Sequence, residues 1–155
     1  MKKIFPLAVL LSVIFAMSCN ENDSGQGRDA GPKSRTDSLL SDVMDGHNIG
    51  MAKMGRLSRA EQTTKRLLDS IAALPSQARK AAEPLKVKLD SLQKELSYAE
   101  FAMNKWMDEF NVDSAVDNAK ERIKYLEEEK LKVTKVKEAI LSSLQKADSL
   151  LKAKL

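Results

Sequence analysis

From Ser38 to Leu155 the apolar residues recur in alternating steps of four and three, and only Pro75 and Pro84 break the run. That period puts the apolar residues on one face of an α-helix. The same stretch is rich in Leu, Ala, Lys, Glu and Gln, all good helix formers, and lacks the β-branched runs and Asn-Gly turns of strands. The first helix spans roughly 38–74, through Leu40, Met44, His47, Met51, Met54, Leu57, Thr64, Leu67, Leu68, Ile71 and Leu74. Pro75 then breaks the chain and Ser76 offers an N-cap. The second helix, roughly 77–110, carries Leu85, Leu89, Leu92, Leu96, Ala99, Met103, Trp106 and Phe110. Asn111, Val112 and Asp113 make a turn, and Ser114 with Asp117 makes a weak capping box. The third helix, roughly 114–153, runs through Val116, Ala119, Ile123, Leu126, Val133, Ile140, Leu144, Ala147 and Leu151. Lys130 and Lys137 interrupt its stripe, their stems lying along its edge.

Short connections make successive helices antiparallel neighbours. The expected fold is all-α: an up-down-up bundle of three long helices over 38–155, about 50 Å long at 1.5 Å per residue. A long coiled coil that dimerises fits the same spacing. Gly46, Gly50 and Gly55 cut across the first helix, each costing about 1 kcal/mol relative to Ala. Either they let the second helix approach closely beneath Trp106, or the helix is kinked or frayed there.

The N-terminus carries a different signal. Lys2 and Lys3 precede an uncharged apolar stretch, Ile4 to Met17, which is too short to span a bilayer at ~20 residues. Ala16 and Ser18 are small, and Cys19, the single cysteine, follows. This pattern resembles a bacterial lipobox, with Ala16 where Leu is commoner. The resemblance implies a signal peptide over 1–18, lipid on Cys19 and a membrane anchor in the cell envelope. Asn20 rather than Asp follows the cysteine, which by resemblance implies delivery to the outer membrane, facing the periplasm or the surface. An ordinary secretory signal followed by a free cysteine is the alternative. Residues 19–37, polar after the cysteine, read as a flexible tether, because they cannot bury enough surface to order themselves. Removing 1–18 takes two of 26 basic residues and none of 22 acidic ones, leaving 24 − 22 = +2. The charges are interleaved, so no nucleic-acid partner is expected.

Five methionines follow Cys19: Met44, Met51, Met54, Met103 and Met107. With the single histidine, His47, and the single tryptophan, Trp106, they fall into two windows, 44–54 and 103–107. Counted from the turn near 75, His47 and Met103 are each 28 residues away, and Met44 and Trp106 each 31. In an antiparallel hairpin the two windows meet. Thioether and imidazole are soft ligands that suit Cu(I) or Ag(I), and an indole face adds a cation–π contact. The ligand set is similar to that of periplasmic copper and silver chaperones, which are β-barrels and share no fold with this chain. Methionine also fills irregular core gaps, so plain packing accounts for the same residues.

Met44-Asp45-Gly46-His47-Asn48 and Met51-Ala52-Lys53-Met54-Gly55 recur with Ala102 to Phe110 and Tyr125-Leu126-Glu127-Glu128 in a recognisable pattern. Together, over roughly 38–150, they resemble small helical lipoproteins of Bacteroidota-type bacteria often labelled "viral A-type inclusion protein". That pattern has Asp after the histidine, where this chain has Asn48. The resemblance implies a helical fold and an envelope location, and no activity. Without a nucleophile–base pair, phosphate loop or carboxylate constellation, an enzyme is not expected. Two functions remain: a non-enzymatic helical module that spaces envelope components, binds a protein partner or self-associates, and a Cu(I)/Ag(I)-binding lipoprotein.

Overall fold

The computed structural model describes residues 34–152. The expected signal peptide, Cys19 and most of the expected tether lie outside the described residues. Three helices pack on one another, with no strand among the described residues: α1 (Arg35–Ala72), α2 (Ser76–Glu109) and α3 (Ala119–Lys152). Arg35 pairs with Glu127 and Arg56 with Asp148, so α1 and α3 run the same way at a constant offset of 92. Glu61 accepts from Gln93, and the His47 ring lies beside Trp106, so α2 runs the other way. The bundle is up-down-up within one chain.

The helix ends follow local chemistry. α1 starts at Arg35, earlier than residue 38, because the Ser34 hydroxyl accepts the Asp37 N–H at 3.1 Å. Ser76 is already helical, and Pro75 occupies the cap position with no side-chain bond. The Arg79 guanidinium instead donates to the Leu74 carbonyl at 2.9 Å and closes the α1–α2 turn. The third helix does not begin at 114. Residues 110–118 form an irregular loop, and the Asn118 amide oxygen accepts from the N–H groups of Lys120 and Glu121 at 3.1 and 3.2 Å. Asn118 is therefore the cap, and the Ser114/Asp117 capping box does not form. Ala115 sits at φ 57°, in the left-handed region. The buried Arg122 side chain donates to the Ser114 carbonyl at 2.7 Å, which ties that strained loop to α3. Val116, expected on the stripe, is exposed.

The core runs the length of the rod through Leu57, Leu89, Leu96, Met103, Leu126 and Ile140, all fully buried. On α2 the buried line matches the expected one from Leu89 to Trp106. On α1 the phase differs. Val43, Gly46 and Gly50 face inward, while Met44 and His47 are half-buried and Met51 is exposed. On α3 the stripe passes through Glu129 rather than Lys130, and Lys130 reaches out to Asp42 at 2.7 Å.

Glycine explains the phase of α1, which stays helical through all three glycines. A Cβ at Gly46 would stand 3.0 Å from Val133 Cγ1. At Gly50 it would stand 2.3 Å from Met103 Cε and 3.3 Å from Ile140 Cδ1. A methyl at either position requires the Val133 or Met103 side chain to give way, and a large side chain would press α1 off its neighbours. Gly55 is exposed and meets only the tip of Arg59. Gly55→Ala is expected to raise stability by about 0.5–1 kcal/mol through helix propensity. Gly50→Leu is expected to lower it by about 2–3 kcal/mol through overpacking, both read from urea denaturation.

The α1–α2 seam carries one pair of like charges. Glu61 accepts from Gln93 at 2.9 Å and from the Ser97 hydroxyl. Burial pushes the Glu100 carboxyl above its usual range, as do a hydrogen bond to Glu61 and the charge on Glu61. An acid whose pKa is raised by folding holds its proton more tightly in the folded state. Its contribution to stability grows as pH falls through the raised value and is lost as pH rises through it. Glu100→Gln is expected to raise stability at pH 7 by up to about 1 kcal/mol. It should also flatten the pH dependence just above the ordinary glutamate range, measured by denaturation across that window.

Candidate functional site

The two expected windows do meet. The His47 and Trp106 ring centroids are 5.5 Å apart at 38°, and the Met103 methyl lies against Gly50. Both pairs sum to 153, three more than the hairpin count about residue 75. The seven residues nevertheless separate into two environments. Met103 is fully buried, and Met54 and Met107 are half-buried against the core cluster. Met44, His47 and Met51 line the edge of α1 beside that core, with Met51 38% exposed. The closer packing of Gly46 and Gly50 turns this stripe outward.

Trp106 is the fixed element. It is buried, and its indole N–H donates to Glu129 Oε2 at 2.9 Å. Glu129 is itself buried, and its other oxygen accepts from Lys132 at 2.7 Å. That bond to Glu129 holds the Lys132 ammonium above the ordinary lysine range. Phe110, one turn along α2, stacks on Trp106 at 4.8 Å and 19°. Tyr125 continues the column at 6.2 Å from Phe110, and its hydroxyl accepts the Asn111 N–H at 2.8 Å. A ladder of rings thus runs from α1 through α2 to α3 at the end of the rod where α1 begins.

No protein-family model, curated protein or solved structure matches this chain. What the site can do therefore rests on its own chemistry. His47 Nδ1 lies 3.1 Å from the Asn48 amide oxygen. In the tautomer that donates from Nδ1 to this oxygen, the lone pair lies on Nε2. Among the described residues, no three His, Cys, Asp or Glu side chains gather where they could hold a metal ion. Soft donors remain: two thioethers and the imidazole on one accessible helical edge. An open groove of roughly 630 Å³ between α2 and α3, floored by Leu92 and Leu150, lies towards the far end of the rod.

Glu129, Arg122 and Tyr125 were not singled out as site residues from sequence. One signal was present: a buried Trp needs an acceptor for its N–H. Glu129 lies on the four-three line of Leu126 and Val133, where an apolar residue belongs. Glu129→Ala is expected to strand the Trp106 N–H and cost about 1–3 kcal/mol, with a shift in Trp106 emission. Glu129→Gln keeps an acceptor and is expected to cost less in the same denaturation experiment.

Proposed function

We propose that this chain is a lipid-anchored envelope protein whose three-helix rod acts as a non-enzymatic interaction or spacer module. The order Lys2-Lys3, apolar stretch, Cys19 supports the anchor. The observation that carries the interaction part is on the solvent side of α2. Tyr98 and Phe101 stand 62% and 61% exposed there, and Val87 is exposed on the same line. Residues 87, 91, 94, 98, 101 and 105 repeat the four-three spacing. α2 therefore has a second ordered face besides the buried one.

Lys94 and Lys105 bracket the aromatic pair on that face. Two copies meeting antiparallel about Tyr98 and Phe101 would set Lys94 against Lys105, because 94 + 105 = 98 + 101. Lys105 is paired with Glu109, so the repulsion is partial and disfavours such a pairing only weakly. An apolar surface flanked by acidic side chains is the better complement. A photo-crosslinking residue at position 101 is expected to give a discrete adduct in living cells, while one at Lys65 on α1 gives none. Equal labelling at both positions would sink the interaction face. Cys19→Ser is expected to move the protein from the membrane to the soluble fraction, and its retention on the membrane would sink the anchor.

A further inference from the structure

We infer that Met44, His47 and Met51 form a soft-metal site that takes one Cu(I) or Ag(I) ion beside Trp106. The site is independent of the interaction face on α2. The three residues are spaced i, i+3 and i+7, so His47 has a methionine one turn away on each side along one edge of α1. Two thioethers and one imidazole make a neutral, soft donor set, which selects monovalent copper or silver over zinc, magnesium or calcium. Methionine is unbranched with three rotatable bonds, so both sulfurs can swing towards a shared ion.

The inward packing line of α1 bypasses this edge apart from the contact of His47 with Trp106. The inward line of α1 is Val43, Gly46 and Gly50, and the methionine that serves the core is Met103. Met51 is exposed, and Met44 and His47 are half-buried within reach of solvent. The histidine is prepared for the role. Asn48 Oδ1 lies 3.1 Å from its Nδ1, and the tautomer that donates to it presents Nε2 as the metal donor. The indole 5.5 Å from the imidazole supplies an electron-rich face for a cation. Glu129 and Phe110 hold that indole in place, so it is a rigid wall rather than a mobile side chain.

The test uses the chain from Asn20 onward, since α1, α2 and α3 supply the whole described core. It is titrated anaerobically with Cu(I) against a chromogenic chelator of micromolar affinity, and separately with Ag(I). One ion per chain by native mass is expected, with Trp106 emission quenched to the same endpoint. His47→Ala and the volume-conserving Met44→Leu/Met51→Leu double variant are each expected to weaken binding roughly ten-fold or more. Met103→Leu, which alters only the core, is expected to bind as the parent does. Circular dichroism checks that each variant keeps its helices, and the double variant carries the test if His47→Ala does not. Failure of the parent chain to hold an ion against the chelator overturns the site. So does undiminished binding in the variants of the α1 edge, or a loss in Met103→Leu as large as theirs.

Discussion

The approach of α1 to its neighbours at Gly46 and Gly50 sets the geometry of the rest. Without side chains there, α1 packs directly on Val133, Met103 and Ile140. The two glycines cost helix propensity, about 1 kcal/mol each. The contacts they permit offset that cost: Val133, Met103 and Ile140 are all fully buried. The approach also fixes the rotation of α1 about its axis. Once Val43, Gly46 and Gly50 face inward, Met44, His47 and Met51 must lie on the shoulder of the helix. The exposed chemistry of this protein thus follows from a packing decision made by residues that carry no chemistry.

Trp106 depends on a second device. A buried indole supplies large apolar area but demands an acceptor, and α3 meets it with a buried carboxyl in an otherwise apolar stripe. Lys132, mostly in solvent, occupies the other Glu129 oxygen. The ion pair itself contributes little, since one partner is exposed. The positional contact is the Trp106–Glu129 hydrogen bond, which joins α2 to α3 and sets their register. Phe110 and Tyr125 extend the same lock into the α2–α3 loop, where Arg122 fastens the Ser114 carbonyl.

Helix number and order were legible because a four-three apolar pattern has few other solutions. The α2 face was read correctly because it is lined by Leu, Ala, Met and Trp with no competing line. The first half of the α1 face was misjudged by one position, while Leu57, Thr64 and Ile71 are buried as expected. Periodicity ranks Met44, His47 and Met51 above Val43, Gly46 and Gly50, since glycine carries no hydropathy signal. Only the neighbours' side chains show that a missing Cβ is the better fit. The start of α3 was misjudged for a local reason: Ser114 and Asn118 are both competent caps, and the Arg122 clamp favours the later one. The meeting of the two windows was legible from counting, while the pairing within them is offset by three residues, His47 facing Trp106 rather than Met103.

The same rotation separates what the two faces of α1 can tolerate. Residues on the inner line are constrained by atoms within contact distance on two other helices, so change there is felt along the rod. Residues on the shoulder touch the core at one side only. Met44 and Met51 lie off the inner line and have room to move, while His47 rests against Trp106, which is held from behind. A ligand at that edge would meet two movable thioethers, an imidazole beside Asn48 and one fixed wall. The geometry combines adaptable donors with a preorganised aromatic surface, and both are set by the glycines beneath them.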